Sequence, residues 1–317
     1  MELPRVACRA WDVGLFKAVL AEFLGTGLFL FTGLASIAPW TQAAENLGFT
    51  TQNHSSGTGS EPNGATSSAL PTAAATPRLG EVGTQAPCSL ASPKLLQASL
   101  AFGSSVALMS YCTLPISGGH LNPAVTVSLL VAGKVRQARA GGYIMAQLLG
   151  GLTASALLYG LTPEHARGEI GINKLAPGVT LPQAFSIEAI VSFQLVLCVL
   201  ATSGSRRDPS KGGHLLIGLS VMLGHLVAIR YTGCSMNPAR SLGPALIAFE
   251  FANHWVFWVG PTTGGLAAAI LNDMVLAPTG SGFRQWLTML QEGPKGPCNL
   301  QSKAESTAQE MGLSETP

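Results

Sequence analysis

The sequence predicts an all-α membrane protein: six transmembrane helices plus two re-entrant half-helices, arranged as an inverted repeat. Three observations carry that prediction. Hydrophobic residues make up 47% of the 317-residue chain and charged residues only 11%, with a mean hydropathy of +0.35, whereas a soluble domain carries roughly 25% charged residues. Apolar stretches at about 16–38, 95–114, 137–160, 183–203, 213–231 and 254–276 are each long enough to cross a hydrocarbon core. The tripeptide Asn-Pro-Ala occurs twice, at Asn122-Pro123-Ala124 and Asn237-Pro238-Ala239, each time in hydrophobic surroundings.

The first apolar stretch follows basic residues and has the look of a signal peptide. It is too long for one and contains Glu22, which marks it as a retained helix. Segment 40–93 follows, rich in Ser, Thr, Gly, Ala and Pro and poor in large apolar residues, so it cannot bury enough surface to fold alone. It contains the sequon Asn53-His54-Ser55, which makes Asn53 a glycosylation candidate if this segment lies outside the cell.

The second and third stretches flank the first Asn-Pro-Ala. Asn can cap the orphan N–H groups of a helix start, and Pro at the first helical position has no N–H to leave unpaired. Only about ten apolar residues follow each copy, Ala124 to Ala132 and Ala239 to Phe249. At about 1.5 Å per residue each reaches roughly half of a core of about 30 Å. Two half-helices are therefore expected to meet by their N-termini in mid-membrane. Glycines at small-residue spacing, among them Gly141, Gly142, Gly150, Gly151, Gly260, Gly264 and Gly265, are expected to let helices approach closely.

The fourth to sixth stretches repeat the first three. Glu22 precedes Asn122 by 100 residues and Glu188 precedes Asn237 by 49, and the difference is close to the length of the 40–93 insertion. Three helices per half is an odd number, so the halves have opposite topology. The first repeat covers about 15–160 with the insertion at 40–93, and the second about 183–277. Residues 1–14 form a cytosolic N-terminus, 15–277 the membrane domain and 278–317 a cytosolic tail. In the tail, Phe283, Trp286, Leu287 and Leu290 make one stripe of a short helix. Both termini are placed in the cytosol because Arg5, Arg9, Lys17, Lys134, Arg136, Arg139, Arg206, Arg207 and Lys211 gather on their side.

Charged groups inside a membrane default to function. Glu22 and Glu188 hold equivalent repeat positions, which suits a structural role: each accepts hydrogen bonds from the irregular backbone leading into a half-helix. The loops before the two boxes would then present the carbonyls of Gly118, Gly119 and His120 and of Gly233, Cys234 and Ser235 to a narrow path, beside the amides of Asn122 and Asn237. A file of molecules that both donate and accept hydrogen bonds, as water does, suits such a lining. The half-helix dipoles repel cations and turn a central water so that proton hopping is interrupted.

These residues resemble the aquaporin family. Besides the two boxes, Ala21-Glu22-Phe23-Leu24-Gly25, the run from Tyr143 to Gly150 and the run from Asn253 to Pro261 look like family signatures, and the resemblance covers about 15–38 and 95–277. It implies a channel domain over 15–277 with an outer constriction of Phe102, His225, Cys234 and Arg240, of the water-selective kind. Glycerol-conducting relatives carry Asp directly after the matching Arg, where this chain has Ser241. The resemblance also implies a homotetramer in the lipid bilayer, with the plasma membrane the expected location. Cys234 at the constriction predicts block by mercurials. Leu114-Pro115 and Arg230 depart from the family pattern.

The expected function is passive, water-selective conduction driven by osmotic gradients, with protons and ions excluded. A pore that also passes glycerol, urea or ions is the alternative within transport, and a membrane scaffold or adhesion protein the alternative outside it. The sequence offers no nucleophile–base pair and no metal-ligand spacing, so no catalytic residue, cofactor or metal is expected and an enzyme is excluded. No basic run interleaves with aromatics, which argues against a nucleic-acid partner.

Overall fold

A computed structural model of the chain describes residues 13–38, 93–167, 170–203 and 212–276. Asn53 and nearly all of the 40–93 insertion lie outside the described residues, as do the tail stripe and Arg5, Arg9, Arg206, Arg207 and Lys211, the cations expected on the cytosolic side.

The described residues form helices joined by short irregular segments. In chain order they are α1 (Val13–Ala35), α2 (Pro93–Ser117), α3 (Pro123–Val131), α4 (Gln137–Leu161), the single turn α5 (Glu164–Arg167), α6 (Leu181–Thr202), α7 (Gly213–Thr232), α8 (Pro238–Ala248) and α9 (Val256–Leu271). Five of these, α1, α2, α4, α6 and α7, have the length and apolarity to cross a membrane. The sixth expected span is built differently. Its α-helical part, α9, has 16 residues and continues as a π-helical turn of 5 over Asn272–Leu276. Helix α2 runs past its expected end to Ser117 and carries Pro115 within its last turn.

The two short helices have the expected length. Helix α3 has 9 residues and α8 has 11, each with Pro at its first position and Asn as N-cap. Each starts one residue earlier than the apolar run suggested, because the proline itself takes helical geometry.

Packing follows a twofold pattern. Helix α1 packs on α2 and α4, and α6 packs in the same way on α7 and α9. Helix α2 packs on α7 and joins the halves. The half-helices cross over: α8 lies against α4 of the first repeat and α3 against α9 of the second. Glycine permits the closest crossings. A Cβ on Gly150 of α4 would lie 2.5 Å from the Phe23 carbonyl oxygen of α1, and one on Gly264 of α9 would collide with the Ala189 carbonyl of α6. Phe23 and Ala189 each directly follow a buried glutamate, so the two repeats use the same contact. Gly141 departs from the expected packing role, since a Cβ there meets nothing within 4 Å.

Candidate functional site

Glu22 and Glu188 are fully buried. The Glu22 carboxylate accepts hydrogen bonds from Ser117 Oγ at 2.6 Å, His120 N at 2.9 Å, Leu121 N at 2.7 Å and Gln147 Nε2 at 2.8 Å. Glu188 accepts from Thr232 Oγ1 at 2.6 Å, Ser235 N at 2.8 Å and Met236 N at 2.9 Å. A hydroxyl and two consecutive backbone amides recur in both halves; Gln147 has no counterpart at Glu188. The carboxylates hold a backbone that L-residues rarely adopt. Leu121 (φ 54°) and Met236 (φ 54°) are left-handed, a conformation that persists only where surrounding bonds determine it.

Those two residues lead directly into the boxes. Asn122 Oδ1 accepts from Ala124 N at 2.8 Å and Asn237 Oδ1 from Ala239 N at 2.9 Å, so each side chain caps its own half-helix. The amide nitrogens reach across. Asn122 Nδ2 donates to Met236 O at 2.7 Å, and Asn237 Nδ2 donates to Leu121 O at 2.9 Å. The tips of α3 and α8 are thus tied by a reciprocal pair of bonds. A carboxamide carries two N–H groups, and this exchange uses one from each.

Beside the junction lies a narrow cavity, walled by Asn122, Asn237, His120, Phe102, His225 and Arg240 together with apolar side chains such as Val106, Leu195 and Val221. It adjoins a wider vestibule, with which it shares Ser110, Gly119, His120, Val199 and Ile217. Lys134, Arg136 and Arg139 line that vestibule. The two spaces thus follow one another from a basic mouth, past both Asn side chains, to Arg240.

The Arg240 end is closed in by aromatic contacts. The Phe102 and His225 rings stack, with centroids 4.4 Å apart and 20° between planes, and the Arg240 guanidinium carbon lies 5.3 Å from the Phe102 centroid. All three are 2% exposed, so the cation sits with two rings and little solvent. Arg240 Nη1 donates to Gly171 O and Nη2 donates to Gly233 O at 3.3 Å. His225 Nδ1 lies 2.9 Å from Val221 O. A carbonyl only accepts, so Nδ1 carries the proton. In the neutral ring Nε2, which has no hydrogen-bond partner, is then an acceptor.

The structure moves some expected residues. Gly119, His120 and Ser235 line the cavity, and Gly118 lines the vestibule. Gly233 and Cys234 line neither. The Gly233 carbonyl is taken by Arg240, and the Cys234 side chain is fully buried in the hydrophobic core. Two residues were missed. The Gly171 carbonyl holds Arg240 from a connecting segment with no apolar pattern to mark it. Gln147 stands within a signature run, where a lone amide among apolar helix residues could have signalled a buried polar partner.

Comparison with known proteins decides the family, since residues 9–272 match the description Major intrinsic protein. The chain belongs to that family. Among its aquaporin relatives, Aquaporin-5 of Sus scrofa is 41% identical over 269 residues, covering 84% of this chain and 83% of the relative. Aquaporin-2 of Homo sapiens is 37% identical over 281 residues, covering 88% and 86%. Aquaporin FA-CHIP of Pelophylax lessonae is 50% identical over 203 residues, covering 64% and 75%. The X-ray structure of the aquaglyceroporin from Plasmodium falciparum shares the fold, with a TM-score of 0.62 at 22% identity, covering 83% of this chain and 98% of the other. The protein is a multi-pass membrane channel with the aquaporin fold, and the crossed Asn pair lies at the meeting point of its two half-helices.

Proposed function

We propose that the chain is a passive, water-selective channel that excludes ions and protons, with flow set by the osmotic gradient. The observation that supports this reading best is the reciprocal pair of bonds beside the cavity, Asn122 Nδ2 donating to Met236 O and Asn237 Nδ2 donating to Leu121 O. The remaining N–H of each Asn is a donor fixed at the N-terminus of a half-helix, where the helix dipoles place positive potential. A water there is held by its oxygen, and its hydrogens point away towards both ends of the path. A proton cannot hop through a molecule that is oriented in this way. Arg240 adds a fixed charge against cations, and the stacked Phe102 and His225 rings restrict the path to small permeants.

Lys134, Arg136 and Arg139 at the vestibule mouth support placing that mouth, and both termini, in the cytosol. The family resemblance supports assembly as a homotetramer in the plasma membrane, and the insertion with Asn53 then lies outside the cell. Light-scattering stopped flow on proteoliposomes tests the central reading. Rapid shrinkage in sucrose with slow re-swelling in glycerol is the expected result. Fast glycerol entry, or water flux no greater than in protein-free vesicles, overturns it.

A further inference from the structure

Asn173 lies in the segment between α5 and α6, far in sequence from either box, and is 4% exposed. Its Nδ2 donates to Thr232 O at 3.0 Å, and its Oδ1 accepts from Ser241 Oγ at 2.8 Å. Ser241 Oγ also lies 2.6 Å from Ser235 Oγ. The directions of these bonds follow from chemistry. Thr232 O can only accept, which fixes the amide nitrogen on that side and leaves Oδ1 to face Ser241. The single Ser241 proton is then committed to Asn173, so Ser235 donates to Ser241. The relay runs Ser235, Ser241, Asn173, Thr232 carbonyl.

Each contact of Asn173 falls beside Arg240 or beside a group that holds it. Thr232 precedes Gly233, whose carbonyl accepts from Arg240 Nη2. Ser241 follows Arg240 in the chain. Gly171, whose carbonyl accepts from Nη1, lies two residues before Asn173 itself. One carboxamide therefore ties together the two segments whose carbonyls hold the guanidinium and the segment that carries Arg240 itself. We infer that Asn173 is the positioning residue that sets Arg240 across the path, and that the hydroxyl of Ser241 is its required partner, so that these two side chains control the size cut-off of the channel without touching the permeant. An Asp at position 241 would set a carboxylate against Asn173 Oδ1, acceptor against acceptor. The amide could not turn to meet it without giving up Thr232.

The inference rests on the water-channel reading, and its test separates the two. Asn173→Ala, Ser241→Ala and Asn173→Asp proteins are compared with the wild type, each first shown to elute as the same oligomer. The expected result is a several-fold rise in the ratio of glycerol to water permeability for both Ala variants. A second readout needs no conduction. Maleimide modification of Cys234, followed by peptide mass mapping, is slow in the wild type and rises several-fold in Asn173→Ala, because the Thr232–Ser235 backbone is released. Asn173→Asp keeps the acceptor for Ser241 and is expected to fall between. An unchanged permeability ratio in the well-folded Ala variants, or unchanged Cys234 labelling, overturns the positioning role. Absence of water flux in the wild type refutes the channel reading, while Cys234 labelling still decides this one.

Discussion

Asn122 and Asn237 each serve two helices: the side-chain oxygen caps the residue's own half-helix, and the nitrogen donates to the carbonyl that precedes the other residue's box. Neither bond pair is complete without the opposite repeat. An N-cap contributes about 1 kcal/mol and a net buried hydrogen bond about as much. Asn122→Ala and Asn237→Ala are therefore expected to cost about 2 kcal/mol each and to lower water permeability in the protein that remains folded. Asn122→Asp, which turns the donor towards Met236 O into an acceptor, is expected to be worse than Asn122→Ala. Thermal unfolding in detergent, with stopped flow beside it, checks the order.

Removing either buried carboxylate should be more damaging. Glu188→Ala leaves the Ser235 and Met236 amides and the Thr232 hydroxyl without their acceptor, at about 1–3 kcal/mol for each orphaned group. Loss of most folded protein on size-exclusion chromatography is expected. Gln147→Leu removes only one donor from Glu22, so a milder loss, confined to the first repeat, should appear as a lowered melting temperature with normal oligomer yield. If Glu188→Ala were as stable as wild type, the loop would be held by something other than this carboxylate.

The repeated helix crossing predicts a contrast among glycines. Gly150→Ala places a methyl against the backbone of α1, and overpacking of this kind typically costs 1–3 kcal/mol. Gly264→Ala should behave alike at the α6–α9 contact. Gly141→Ala meets open space and is expected to leave the stability within about 0.5 kcal/mol of wild type. Equal effects at all three positions would show that the crossings are looser than described.

At the Arg240 end, a lysine cannot replace the guanidinium. Arg240 donates from two nitrogens to carbonyls of two separate segments, a fork that an ammonium does not reproduce. Arg240→Lys is expected to keep the positive charge yet raise glycerol entry, while Arg240→Ala should raise both glycerol entry and proton leak. A pH-sensitive dye trapped in proteoliposomes reads the leak. Identical leak in both variants would assign ion exclusion to the Asn pair alone.

How far the sequence could be read depended on the range of the signal. The half-helices were legible because capping chemistry is local: Asn and Pro announce a helix start by themselves. The pairing of Glu22 with Glu188 was legible from the repeat, and their acceptor role from the expense of an acid in the membrane. Gly171 and Asn173 were not legible. Their partners, Arg240 and Ser241, stand 69 and 68 positions away, and the segment carrying them has no periodicity to show which residues turn inward. The left-handed backbone at Cys234 (φ 55°) was not legible either, since a non-glycine residue gives no warning of that conformation.

The exchange between the two boxes has a consequence for biosynthesis. Met236, the acceptor for Asn122, stands 114 positions downstream, so the newly inserted first half sits in the bilayer with a desolvated amide and an open turn until translation has passed the second box. The final channel closes like a clasp with its two hooks on opposite ends of the thread. Any factor that delays the later hook lengthens the time for which the earlier one is exposed to the cell's quality control.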